Sequence, residues 1–100
     1  MRFDAYRQRL VDAVLNTPGE TPAELRRAAM RRRTVPPLLA PYVDKVALHA
    51  YKVTDEDVAE LLRAGHTDDA LFEITVAAAV GAALHRLERG MAALRGEEPD

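Results

Sequence analysis

Phe3, Tyr6, Leu10, Val11, Val14 and Leu15 follow one another at steps of three and four residues. That is the spacing of one face of an α-helix. Pro18 and Gly19 in "NTPGE" break the pattern, so a first helix is expected over about 3–15. "TPAE" opens a second: Thr21 suits the N-cap, Pro22 the first helical position, and Glu24 completes a capping box. This helix is expected to run to about Arg33. Its few apolar residues (Leu25, Ala28, Ala29, Met30) stand beside five arginines, the pattern of a surface helix. "TVPPLLAPY" reads as a loop, since Pro36 and Pro37 cannot sit inside a helix, whereas Pro41 can begin one. A third helix is expected from Pro41 to about Tyr51, with Val43, Val46, Ala47 and Ala50 inward.

The next stretch, "AYKVTDEDVAELLRAG", carries its own start and stop. Thr54 is the expected N-cap, Asp57 can reach back to the cap's N–H, and Asp55 and Glu56 favour the positive end of the helix dipole. Val58, Leu61 and Leu62 form the expected buried face, and Gly65 suits a left-handed position just past the end. A fifth helix follows from Thr67 to about Leu94, roughly 40 Å long at 1.5 Å per residue. Phe72, Val76, Val80, Ala83, Leu87, Met91 and Leu94 make one apolar stripe on it. Leu71, Ile74, Ala78 and Ala82 make a second. A helix apolar all round is buried all round, and a chain of 100 residues has little to cover it with. A second copy is therefore expected against it, with Ile74, Ala78, Gly81 and Ala82 as the contact, where "AAAVGAA" allows close approach.

Composition narrows the chemistry. There is no cysteine, hence no disulfide, thiolate metal site or cysteine nucleophile. There is no serine, hence no serine triad. Glycines are too scattered for a phosphate loop or dinucleotide fingerprint, and no cofactor is implied. No two of His49, His66 and His85 lie three or four residues apart, so no metal pair exists on one helix. His49, Asp57 and His85 are the candidates an acid–base site would need, assembled in three dimensions. Asp57 and Glu60 are also three apart, but helix capping already accounts for Asp57. Residues 1–50 carry nine Lys+Arg against five Asp+Glu, and residues 51–100 five against eleven. The halves thus stand at +4 and −6, an asymmetry that can draw copies together. "RRAAMRRR" (Arg26–Arg33) is the one basic cluster. Nucleic-acid binding through it is disfavoured by the acidic chain and by the lack of stacking aromatics beside it. "MRFDAYRQRL" has no apolar signal core, and the weakly polar run 74–84 is about half the length a membrane span needs. A cytoplasmic, non-membrane protein is expected.

The run "LLRAGHTDDALFEITVAAAVGAALHRLE" (Leu61–Glu88) resembles the alkylhydroperoxidase-D-like (AhpD-like) and carboxymuconolactone-decarboxylase-like family: a helix ending in "AG", a short turn, an acidic start and a long alanine-rich helix. The resemblance covers about 42–94. It implies an all-α, five-helix AhpD-like domain over 1–100, with 96–100 a frayed tail, that assembles as a dimer, trimer or hexamer. The family's peroxidase motif, Cys-x-x-Cys-x-x-x-His with an upstream glutamate, would fall on Ala50, Val53, Asp57 and near Leu38. None of those residues is kept, and thiol peroxidase chemistry requires the thiolate. The reading is thus a homo-oligomeric module for a small-molecule ligand or for protein interaction. A decarboxylase-like enzyme at a subunit-interface pocket, or a nucleic-acid binder, is the alternative.

Overall fold

The computed structural model describes residues 2–96, with Arg2 described in its backbone only. Every regular element among them is helical: α1 (Arg2–Leu15), α2 (Ala23–Arg31), α3 (Ala40–Leu48), a 3-10 turn (Ala50–Lys52), α4 (Asp55–Arg63) and α5 (Asp68–Leu94). The expected all-α fold with a long last helix is the observed one. The expected tail lies outside the described residues beyond Gly96.

Local signals govern α4 and the start of α5. The Thr54 hydroxyl accepts from the Asp57 N–H at 3.2 Å, and the Asp57 carboxylate accepts from the Thr54 N–H at 2.9 Å, a complete capping box. Gly65 follows the C-cap Ala64 at φ 106°, where a side chain would be strained. Thr67 caps α5 by accepting from Ala70 N–H at 3.1 Å. Of the expected inner face of α4, Leu61 is buried and Val58 packs against the core, while Leu62 is exposed.

Three boundaries differ from the sequence expectation. α2 begins at Ala23 with Pro22 as N-cap, and no side chain caps it. Thr21, the expected cap, instead turns its hydroxyl to Glu73 of α5. α2 ends at Arg31, because Arg32 takes the left-handed conformation (φ 53°, ψ 43°) with its N–H on the Ala28 carbonyl. α3 ends at Leu48 and the chain re-forms as the 3-10 turn, which leaves Ala50 exposed rather than inward.

The core lies between α2, α3 and the inner face of α5. Ala29, Leu39, Val43, Ile74, Ala77 and Ala78 are each almost fully buried there. α2 is therefore a packed helix, not a surface one. Its approach is possible because Gly81 of α5 lies directly against the backbone of Met30; a methyl group on Gly81 would stand 2.8 Å from the Met30 carbonyl carbon. Tyr42 closes the α3–α5 contact with its hydroxyl 2.7 Å from Thr75 Oγ1. By length and composition α5 also suffices to cross a membrane, which the run 74–84 understates.

Candidate functional site

Asp57 sits where the resemblance would put the peroxidase histidine. Its carboxylate receives two bonds, from Thr54 N–H and from Lys45 Nζ, each at 2.9 Å. The Lys45 hydrogen bond, followed by that of Thr54, holds the carboxyl below its ordinary value. An aspartate so held accepts a proton reluctantly. Asp57 lines a cavity with Pro41, Tyr42 and Glu60. His85 lines a different cavity, against α1 and α2, while His49 is exposed with its ring edge-on to Tyr51. The three acid–base candidates are not brought together in one cavity. Among the described residues no group of three or more His, Asp or Glu could hold a metal.

The sequence reading missed a second carboxylate site. Glu73 accepts from Glu20 N–H (2.8 Å), Thr21 N–H (2.9 Å) and the Thr21 hydroxyl (2.5 Å). The Arg26 guanidinium lies 3.6 Å away and is buried. Arg26 donates to the carbonyls of Val14 (2.7 Å), Leu15 (3.2 Å), Thr17 (2.9 Å) and Thr21. It thereby satisfies the open carbonyl end of α1. The one signal was Glu73 itself, the only charge between Asp69 and His85. The Thr21 hydroxyl first, then the Thr21 and Glu20 N–H groups and Arg26, hold the Glu73 carboxyl below its ordinary value.

Both depressed carboxylates bind protons more tightly in the unfolded chain. Their stabilisation is complete above the ordinary values, 4.5 for Glu73 and 3.8 for Asp57, and is lost as pH falls through the lower folded values. Urea midpoints should be flat from pH 7 to about 5 and fall below that. In Glu73→Gln the acid-side fall should be shallower; an identical slope would contradict the assignment.

The basic cluster is divided by the fold. Arg26 is removed into the core as described. Arg31, Arg32 and Arg33 stand at the rim of an open cavity of about 500 Å3 lined by residues of α1, α2, α3 and α5. Arg7 and Arg86 join them. Arg7 is paired with Glu88 at 2.7 Å, and Arg86 bonds the Ala47 carbonyl at 3.1 Å. Arg31, Arg32 and Arg33 have no ion-pair partner among the described residues.

The residues expected at a contact between copies are placed differently from one another. Ile74 and Ala78 are buried inside the chain, Gly81 faces Met30, and Ala82 lines the basic cavity. The opposite side of α5 is the open one. Phe72, Ala79, Ala83, Leu87, Gly90 and Leu94 are exposed and Val76 is half-buried. At 3.6 residues per turn these seven occupy a band of only about 80°. From Phe72 to Leu94 the band is wholly apolar and faces away from the core, and Asp69 borders it on the first turn. No protein-family model, curated protein or solved structure matches this chain.

Proposed function

We propose that this chain is a homo-oligomeric helical interaction module without thiol peroxidase activity, whose working unit is an antiparallel dimer joined along the outer face of α5. The observation that carries the reading is the outer stripe itself. Its positions repeat every eleven residues: Phe72, Ala83 and Leu94; Val76 and Leu87; Ala79 and Gly90. An eleven-residue repeat keeps a stripe nearly parallel to the helix axis, with a slight right-handed drift, so two helices can lie together along their length.

Antiparallel pairing about Ala83 matches large residues with small ones in the middle of the stripe and large with large at its ends. Val76 then opposes the partner's Gly90, Ala79 opposes the partner's Leu87, and Phe72 opposes the partner's Leu94. Charge favours the same direction. Asp68 and Asp69 lie at the start of α5, and Arg86 and Arg89 near its end, where Glu88 is already paired with Arg7. Parallel pairing sets like beside like, whereas antiparallel pairing also opposes the helix dipoles. A bilayer is the rival occupant. Surface-seeking helices flank bulky apolar residues with basic ones; here the bulkiest residue, Phe72, is flanked by acids and the middle of the stripe is alanine. The family proposal, a cytoplasmic AhpD-like protein lacking the redox motif, is supported by the phrase Leu61–Glu88, which spans the end of α4, the turn and most of α5.

Ala83→Glu tests the pairing. It sets two carboxylates together on the two-fold axis and, being exposed, leaves the core alone. Light scattering should give twice the 11.1 kDa chain mass for the parent protein and the single mass for the variant. A monomeric parent at high micromolar concentration would refute the dimer. Flotation with vesicles in place of a dimer would assign the stripe to a bilayer.

A further inference from the structure

We infer that the cavity between α1, α2, α3 and α5 is a binding site for a small organic anion: a phosphate group carried on an apolar body. The site lies on the inner side of α5, away from the outer stripe, and does not depend on the pairing proposed above. Its volume, about 500 Å3, is that of a small-molecule pocket. Five arginines and His85 line it against a single carboxylate, Glu88, which is already paired with Arg7. Its deeper wall is apolar, with Leu15, Met30, Ala47 and Leu84.

Three consecutive guanidinium groups without an ion-pair partner among the described residues, all lining one cavity, are a costly arrangement for stability alone. Like charges repel, and the chain has many acids elsewhere that could have neutralised them. The backbone reinforces the point. Arg32 at φ 53° and Thr34 at φ 59° both occupy the left-handed region that favours glycine, and the bend they make carries Arg31, Arg32 and Arg33 around the rim. Guanidinium forks match phosphate oxygens two at a time. The apolar wall then selects for an attached hydrocarbon or ring over the bare anion. A nucleic-acid strand fits less well: the charges surround a concavity, and no Phe, Tyr or Trp that would stack bases stands in its lining.

The experiment is an NMR titration of the full chain, following amides of Ala47, Gly81 and Ala82, with octyl phosphate, octanol and inorganic phosphate as probes. Octyl phosphate should bind at least ten times more tightly than either of the others. Arg31→Ala with Arg33→Ala, both exposed positions, should weaken it at least tenfold without changing the melting temperature appreciably. Arg32→Gly separates folding from binding: it should raise the melting temperature by relieving the left-handed arginine while weakening octyl phosphate several-fold. Absence of binding at millimolar octyl phosphate, or equal binding by the double variant, would overturn the site. So would steeply salt-dependent retention of a single-stranded oligonucleotide by a protein that ignores octyl phosphate, which would assign the cluster to nucleic acid.

Discussion

Arg26→Met should destabilise the fold by about 3–5 kcal/mol, the cost of removing one member of a buried ionic network. The methionine keeps most of the volume and none of the donors. The carbonyls of Val14, Leu15, Thr17 and Thr21 would lose their shared partner, and Glu73 its neighbouring positive charge. Each buried acceptor left open costs about 1–3 kcal/mol, and relaxation with entering water recovers part of that sum. A domain of this size has about 5–15 kcal/mol in total. The variant should therefore melt roughly 15 °C or more below its parent. Arg26→Lys should rescue little, because a single ammonium cannot span carbonyls that a planar fork reaches together. The comparison is best made in the Ala83→Glu background, where dimerisation does not shift the midpoint with concentration. A loss below about 1 kcal/mol would mean that water replaces the guanidinium at the end of α1, and that the network is peripheral.

Gly81→Ala should cost about 2–4 kcal/mol, at or just beyond the usual range for overpacking a well-fitted core. The added methyl meets main chain, not a side chain: its nearest atoms are the Met30 carbonyl oxygen and carbon and the Met30 Cα, the last at 3.0 Å. Side chains can turn aside, whereas a helix backbone must move as a unit. Relief requires α2 to back away from α5, which opens the contacts of Ala29, Ala77 and Ala78, all essentially inaccessible. Gly81→Leu should fail to fold. Gly90→Ala is the internal control on the same helix, with nothing within 4 Å of its added methyl. In the monomeric background it should stabilise by roughly 1 kcal/mol through helix propensity. Equal and favourable effects at both positions would show that α2 does not approach α5 as closely as described.

The parts of this fold that were legible in the sequence are those decided within a few residues. The Thr54–Asp57 box, the Thr67 cap and Gly65 are local, and each stands where the sequence put it. Thr21 shows the limit of that reasoning. Its capping signature was complete, but a carboxylate more than fifty residues away takes its hydroxyl and its N–H together. Arg26 was read as one of a surface cluster for the same reason: nothing adjacent reveals that the end of α1 returns to meet it. On α5 both stripes are apolar, so periodicity alone could not say which faces in. The choice follows from size. Ala77, Ala78 and Gly81 let the α2 backbone approach, which the bulkier face with Phe72 and Leu87 could not. The arginines of the cavity were visible as a run, but the four helices that bring its lining together meet only in the assembled chain.

Distances between spin labels test the proposed pairing most directly. The chain has no cysteine of its own, so single labels can be placed cleanly. Labels at Ala83→Cys should lie within about 15 Å of each other across the two-fold axis, given helices packed 8–10 Å apart. Labels at Phe72→Cys should lie about 33 Å apart, the length of helix from 72 to 94 at 1.5 Å per residue. Short distances at both positions would mean parallel pairing. No measurable distance at either would mean that α5 does not join two copies of the chain.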